Sequence, residues 1–288
     1  MILKTTHRTA YHYTWPSVDS HNEVRLHPLT DEFQTCRAFN LSITPTAFVS
    51  HFSEPGGVVE VFSVTAPHNE LVILGEAEVE TLTGDPFEDV DFLTDDWAFY
   101  AREEVKERFA EFLAPSHYTQ PNSGVTEMAN QLLAGPRGSA AQFLLNLNST
   151  IHDALNYVPG ATDVHSKLEE ILQLKAGVCQ DFAHLMIACC RTAGIPARYV
   201  SGYLYCGGHP ELRGNQATHA WLECPMPSGR WLAFDPTNNL LANDRYVRVH
   251  VGRDYADVTP TRGVYIGAPG AGLEVSVQVD RFETRVHR

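Results

Sequence analysis

KAGVCQDFAHLMIACCRTAGIPARYVSGYLY, Lys175 to Tyr205, is the stretch from which the fold follows. Gly177 lies two residues before Cys179, and the apolar run from Phe182 to Ala193 is long enough for a helix. Gly194-Ile195-Pro196 ends it, and a β-type run, Ala197 to Tyr205, follows. Cys179 therefore falls at or just inside a helix N-terminus. There the orphan N–H groups and the positive end of the macrodipole favour a thiolate over a thiol. A thiolate is the nucleophile of covalent acyl chemistry. Taken alone, a free cysteine is as readily a small buried hydrophobe.

A partner downstream moves the balance. In THAWLECPMPSGRWLAFDPTNN, two β-like runs, Thr218 to Cys224 and Arg230 to Asp235, flank Pro225-Met226-Pro227-Ser228-Gly229, which has turn chemistry. A hairpin centred on Pro227 places His219 directly opposite Asp235. Opposed side chains of an antiparallel pair stand about 4.5–5.5 Å apart at Cβ, close enough for a carboxylate to orient an imidazole. A nucleophile, a base and an orienter thus occur in the chain order Cys, His, Asp. By strand parity Trp221 and Trp231 share the face of His219 and Asp235.

GVCQDFAH, GIPARYVSGY, THAWLE and AFDPTNN together resemble the bacterial transglutaminase-like superfamily, in its branch of proposed cysteine proteases. The resemblance covers roughly Ser139 to Tyr255. VDSHNEVRLHPLTDEFQTCRAFNLSITP, Val18 to Pro45, is similar to the N-terminal domain that precedes this core in such bacterial proteins. The resemblance implies a papain-like core, a Cys-bearing helix packed on an antiparallel sheet that carries His and Asp. It implies Cys179 as nucleophile, His219 as base and Asp235 as orienter, with no departure at these three positions. The implied activity is that of a cysteine-dependent acyl-transfer enzyme, protease-like in its leaning.

Composition limits the alternatives. The chain has 288 residues, enough for one large or two modest domains, and at 43% hydrophobic it can bury a proper core. The net charge is −14, and no dense Lys/Arg cluster occurs, so neither nucleic acid nor an anionic membrane is an expected partner. A peptide or protein substrate is expected instead, and the acidic surface weakly favours cationic or neutral ones. The opening MILKTTHRTAYHY lacks the apolar run of a signal peptide, and no stretch approaches the roughly 20 apolar residues of a membrane helix; the expected compartment is the cytoplasm. Six scattered or adjacent cysteines without a C-x-x-C spacing, and fourteen dispersed histidines, give no reason to expect disulfides, a structural metal or a cofactor.

Along the chain, the organisation reads as α+β. Residues 1–84 are a β domain, with runs at Leu41 to Ile43, Val58 to Thr65 and Glu70 to Leu82. Gly56-Gly57 and Pro67-His68-Asn69 are its hairpin candidates, and the strand spacing suggests a small sandwich. Arg25 and Asp31 read as structural salt links, with contact to the cleft as the alternative. Residues 85–138 connect; they are acidic first, then mixed, then helical from Val125 to Leu133. Residues 139–255 are the catalytic core. Its first helix, Ala140 to Val158, carries the stripe Phe143, Leu147, Ile151 and Leu155, and Ser166-x-x-Glu169 has the pattern of a capping box ahead of a short helix, Lys167 to Leu174. Residues 256–288 end in an alternating strand, Leu273 to Val279, which needs a half-buried face and is expected to return to the N-terminal sheet. Arg253, Asp254, Tyr255, Asp257 and Arg262 read as a hydrogen-bonded loop that alternatively walls the cleft.

The oxyanion hole is less legible. One donor is the Cys179 backbone N–H, presented by the helix N-terminus. For the second, three residues stand open: Gln173, six residues upstream at a spacing resembling that of the papain glutamine; Tyr157 in NYVPG; and the Gln180 side chain. The tryptophan that plays this part in animal transglutaminases has no match that can be placed. Trp221, Asp181 and Tyr255 are candidates for lining the cleft. Three activities fit: hydrolysis of a peptide or isopeptide amide, transfer of the same acyl group to an amine as in a protein-glutamine transglutaminase, or a non-catalytic binding scaffold. The intact Cys, His and Asp weigh against the scaffold.

Overall fold

The computed structural model describes residues 1–82, 84, 96–135, 138–214, 217–268 and 270–282. The acidic stretch that opens the connecting segment, 85–95, and the end of the tail, 283–288, lie outside the described residues.

The N-terminal region is built on one strand, β1 (Ile2–Val24), 23 residues long. β2 (Gln34–Thr44), β3 (Val49–Glu54), β4 (Gly57–Val64) and β5 (His68–Thr81) follow. The first half of β1 pairs with β5, from Ile2↔Glu80 to His12↔Glu70. The second half pairs with β4, from Ser20↔Val64 to Val24↔Glu60. The register breaks between His12 and Ser17, where Pro16 has no N–H to donate, and Asp19 beyond it takes a φ of 48°. A bend there lets one strand serve two pairings. The result is a single seven-stranded sheet, running β2-β5-β1-β4-β3 with two tail strands added, curved into a half-barrel. The sandwich-like domain expected from the strand spacing is built by bending one continuous sheet, closed over Tyr13, Val24, Leu26, Ile43, Phe62, Leu71 and Ile73. Gly56-Gly57 does turn a hairpin, β3 to β4, with Glu54 opposite Gly57. Pro67-His68-Asn69 does not: β4 and β5 join different halves of β1, so the segment crosses between them.

The connecting segment forms α1 (Trp97–Ala101), α2 (Glu103–Arg108), α3 (Ala110–Leu113) and α4 (Ser123–Leu133), the last capped by Asn122, whose Oδ1 accepts from the Val125 N–H at 2.9 Å. Arg191 pins this segment. It is buried, and its guanidinium donates to the carbonyls of Phe112, Ala197 and Arg253 and to the hydroxyls of Ser116 and Thr119.

The core then runs α5 (Ala140–Ala154), β6 (Asn156–Tyr157), α6 (Leu168–Leu174), β7 (Ala176–Gly177), α7 (Cys179–Thr192), β8 (Arg198–Leu204), β9 (His219–Pro225), β10 (Trp231–Asp235), β11 (Leu240–Leu241) and β12 (Tyr246–Gly252). Helix α7 is central: every residue from Gln180 to Arg191 is buried. Phe182, Leu185, Met186 and Ile187 join Leu144, Leu147 and Ile151 of α5 and Tyr199, Leu222, Cys224 and Phe234 of the sheet in one apolar cluster. The sheet is antiparallel, ordered β11-β10-β9-β8-β12. Helix α5 ends earlier than its stripe suggests, because Asn156 and Tyr157 leave it to pair in parallel with Ala176 and Gly177. The capping box before α6 is not formed: Ser166 Oγ accepts from the Asp163 N–H at 3.2 Å, while Lys167 occupies the N-cap.

The tail adds α8 (Tyr255–Val258), β13 (Thr261–Ile266) and β14 (Gly270–Arg281). The polar run after Gly252 is thus a helical turn, capped by Asp254, whose Oδ1 accepts from the Ala256 N–H at 2.8 Å. β14 pairs with the first half of β1 along its free edge, Leu3↔Arg281 to Tyr11↔Leu273, and β13 with the second half. Val277 is buried under this pairing, while Leu273 remains 58% exposed, so the apolar alternation is covered at one end of β14 only. Between the two sheets lie charges that each find partners. Glu223 meets Arg198 at 2.7 Å and Arg248 at 2.9 Å, Arg248 also reaches Asp31, and Glu54 meets Arg25 at 3.0 Å and His250 at 2.9 Å. Buried ions persist only when paired in this way. Among the described residues no helix is long and apolar enough to cross a membrane.

Candidate active site

Cys179 is the first residue of α7 and is half-buried. Three devices hold it there. Asp181, two residues on, accepts from the Val178 N–H at 2.7 Å and from Thr162 Oγ1 at 2.6 Å, which fixes the first turn of the helix. Gly177 leaves room for that carboxylate, since a Cβ at Gly177 would lie 2.6 Å from Asp181 Oδ2. The Gln180 side chain donates to the Val164 carbonyl at 3.4 Å and ties down the loop before α6. The Cys179 N–H, in the first turn of the helix, belongs to the group of donors that the helix itself cannot satisfy.

His219 begins β9, and Asp235 ends β10. The hairpin between them is centred on Ser228, not on Pro227. Met226 closes the turn by donating to the Arg230 carbonyl at 2.8 Å, and Gly229 takes a φ of 88°. The ladder then runs Trp231↔Pro225 to Phe234↔Leu222. Its continuation places Asp235 opposite Trp221, with His219 one diagonal step away. The offset is one residue on each strand, so parity survives and both side chains stay on one face. The imidazole spans the diagonal: His219 Nε2 lies 2.7 Å from Asp235 Oδ2, with both side chains fully buried.

Asp235 is held by more than His219. Its Oδ2 also accepts from Tyr246 Oη at 2.8 Å and Asn238 Nδ2 at 2.7 Å, and its Oδ1 from the backbone N–H of Thr237 at 3.0 Å and of Asn238 at 3.3 Å. Burial favours the protonated acid, but His219, Asn238 and Tyr246 outweigh it and hold the carboxyl below the usual range. For His219 burial disfavours the cation; Asp235, and after it Cys179, outweigh that and raise the pKa from 6.5 to about 10. The direction favours the imidazolium. Its Nδ1 has no hydrogen-bond partner among the described residues. Gly214 lies against this atom, where a Cβ would come within 2.6 Å, and the Cys179 sulfur is 3.9 Å from the carbonyl of neighbouring Thr218.

The remaining candidates divide. Tyr157 stands opposite Gly177 in the β6–β7 bridge, half-buried; burial and then Cys179 push its hydroxyl pKa up. Gln173 is exposed on α6, where its amide reaches back to Glu169 at 3.5 Å. Gln180 and Asp181 are scaffolding, as described. Trp221 is wholly buried behind the histidine, its ring 6.0 Å from that of His219 and edge-on to Tyr246 at 5.3 Å, so it backs the site rather than lining a cleft. Tyr255 opens α8, gives its backbone N–H to His184 Nε2 at 3.2 Å and packs with Tyr118. Tyr246 and Asn238 carry no sequence signal of their role: one arrives from β12 across the sheet, the other from a turn.

Comparison with known proteins bears on the family and the fold. The sequence profile of the Transglutaminase-like superfamily matches residues 126–236, and that of the Bacterial transglutaminase-like N-terminal region matches residues 3–80. An uncharacterized protein of Mycobacterium leprae is 35% identical over 287 residues, which cover 97% of this chain and 99% of that protein. A protein-glutamine gamma-glutamyltransferase of Pseudomonas aeruginosa is 30% identical over 138 residues, 45% of this chain and 20% of that one. A crystal structure of a proposed cysteine protease from Cytophaga hutchinsonii superposes with a TM-score of 0.73 at 24% identity, covering 99% of this chain and 92% of that one, a likeness of fold. The chain belongs to the transglutaminase-like superfamily, in a form that carries the bacterial transglutaminase-like N-terminal region.

Proposed function

We propose that the protein is a cysteine-dependent acyl-transfer enzyme that hydrolyses a peptide or isopeptide amide, with Cys179 as nucleophile, His219 as base and acid, and Asp235 as orienter. The supporting observation is the buried His219–Asp235 pair at 2.7 Å, whose other ring nitrogen has no hydrogen-bond partner among the described residues, with the half-buried Cys179 among the side chains that interact with the imidazole. In the reactive form the sulfur is a thiolate and the imidazole its counter-cation. The sulfur attacks the amide carbonyl, and the oxyanion receives the Cys179 N–H. Tyr157, whose hydroxyl is influenced by Cys179, is proposed as the second donor. His219 Nδ1 delivers its proton to the leaving amine, then takes one from the water that opens the thioester.

Transfer to an amine is the second reading, favoured by the likeness to the Pseudomonas protein-glutamine gamma-glutamyltransferase. Water stands at about 55 M, so transamidation requires a site that positions an amine ahead of it. The test is incubation with a glutamine peptide and a labelled primary amine, and with candidate peptides alone. Cleavage without incorporation, absent in Cys179→Ala, supports hydrolysis. Incorporation exceeding cleavage overturns that choice in favour of transfer.

A further inference from the structure

A chamber of about 520 Å³ opens beside the triad, between α5, the start of α7 and the loops that flank β9 and β10. Its walls are shared with the site. Asn238 lines it and donates to Asp235; Thr237 lines it and donates its N–H to the same carboxylate; Tyr157 lines it opposite Gly177, and Phe182 lines it one turn after Cys179. The remaining wall is the loop that carries Arg213. Asn238 clamps that loop to the site, accepting from the Arg213 N–H at 2.8 Å and donating to its carbonyl at 3.1 Å. The next residue, Gly214, is the one that lies on His219 Nδ1.

The charges in this chamber are unevenly satisfied. Glu211 is engaged with His209 at 2.8 Å, and His209 is in turn met by Arg245 at 3.1 Å. His152 donates its Nδ1–H toward the carbonyls of Pro236 at 3.3 Å and Thr237 at 3.2 Å. Arg213 has no carboxylate partner among the described residues; its guanidinium sits 5.9 Å from the centre of the Tyr157 ring. A guanidinium presents a planar fork of donors whose natural complement is a carboxylate, bound through two parallel hydrogen bonds. Asp153, exposed on α5, is the other charge of the chamber without an ion-pair partner among the described residues, and it disfavours a dianion, so the match is to a single carboxylate rather than a phosphate.

We infer that this chamber is a substrate subsite and that Arg213 receives a carboxylate of the substrate within it, rigidly placed relative to the scissile amide by the Asn238 clamp. The carboxylate is that of a C-terminal residue or of an acidic side chain; the two sources share one chemistry here. The inference rests on the proposed acyl-transfer site for its meaning as a subsite, not for its test. Against the overall acidity of the surface, it assigns the protein a local preference for an anionic group.

The experiment is protection of Cys179 from iodoacetamide, followed by mass spectrometry of the intact protein and its peptides. Three probes are compared: acetyl-triglycine with a free carboxylate, the same peptide as its C-terminal amide, and acetyl-Gly-Glu-Gly-amide. The carboxylate probes are expected to protect about two- to fivefold better than the neutral amide, the range for an ion pair at an exposed side chain such as Arg213. Arg213→Gln should erase that margin, and Arg213→Lys should restore part of it. Whichever carboxylate probe protects better identifies the source. Equal protection by all three, no protection by any, or a margin that survives in Arg213→Gln overturns the inference. Hydrolysis is scored separately: protection with the margin but no cleavage of any peptide sinks the hydrolytic reading and leaves the subsite, whereas Cys179-dependent cleavage without the margin does the reverse.

Discussion

Tyr246→Phe isolates one layer of the site. The ring stays and keeps its edge-on contact with Trp221, while the hydroxyl that donates to Asp235 Oδ2 at 2.8 Å is removed. Asp235 is wholly buried, so water does not replace the lost donor, and hydrogen bonds to charged groups are worth about 1.5–3 kcal/mol. The four remaining donors to the carboxylate relax little, since two are backbone N–H groups fixed by the turn after β10. The expected loss of unfolding free energy at pH 7 is therefore about 1.5–3 kcal/mol. Its pH dependence follows from the direction of the shift. Asp235 has a folded pKa held below its unfolded value, so its contribution is present above the unfolded pKa of about 3.9 and is lost as pH falls through the folded one. The gap between wild type and Tyr246→Phe should narrow as pH drops below about 4. Urea unfolding at a series of pH values measures it. A loss under about 0.5 kcal/mol at pH 7, or a gap that stays constant into acid, refutes the reasoning that the hydroxyl serves a charged, dry carboxylate.

Gly214→Ala should cut turnover more than it cuts stability, because the residue has a φ of 113° and its Cβ would fall 2.6 Å from His219 Nδ1; kinetics read beside thermal unfolding check this. Gly202→Ala should do the opposite and destabilise the core by more than the usual ~1–3 kcal/mol of overpacking, since its Cβ would meet the Val247 carbonyl at 2.0 Å and the Trp221 ring at 2.6 Å; denaturant midpoints measure the loss. His219 has a folded pKa raised above its unfolded value, so the stability it contributes is full below about 6.5 and lost as pH rises through about 10. The unfolding free energy of wild type relative to His219→Gln should follow that course between neutral and alkaline pH.

What was legible in the sequence was local. Helix α7 could be read because an unbroken apolar run meets the stop at Gly194-Ile195-Pro196, and Gly194 takes the φ of 78° that such a stop requires. The neighbourhood of His219 and Asp235 could be read because a period of two survives an error in the turn. The turn itself was misplaced by one residue per strand, since Gly229 rather than Pro227 sets its geometry. The positions that escaped were set by distant chain. Tyr246 reaches Asp235 from β12, and the exposure of Gln173 depends on how α6 is rolled against its neighbours. The bend of β1 escaped for a related reason. A 23-residue strand that changes partners midway shows no turn signal beyond Pro16, and only the strands on its two edges disclose the break.

The central claim is that Cys179 is activated by His219. Cys179 and Cys206 are both half-buried, whereas Cys189, Cys190 and Cys224 are buried, so Cys206 is a control of similar access; Cys36, also half-buried, has its own imidazole neighbour in His27 and is not one. The direct measurement is the rate of iodoacetamide labelling at Cys179 and Cys206 at pH 6, in wild type and in His219→Gln, resolved by peptide mass spectrometry. Cys179 is predicted to label at least about tenfold faster than Cys206, and His219→Gln to bring it down to that rate. Labelling of Cys179 no faster than Cys206, or a fast rate that is indifferent to the loss of His219, would contradict the claim.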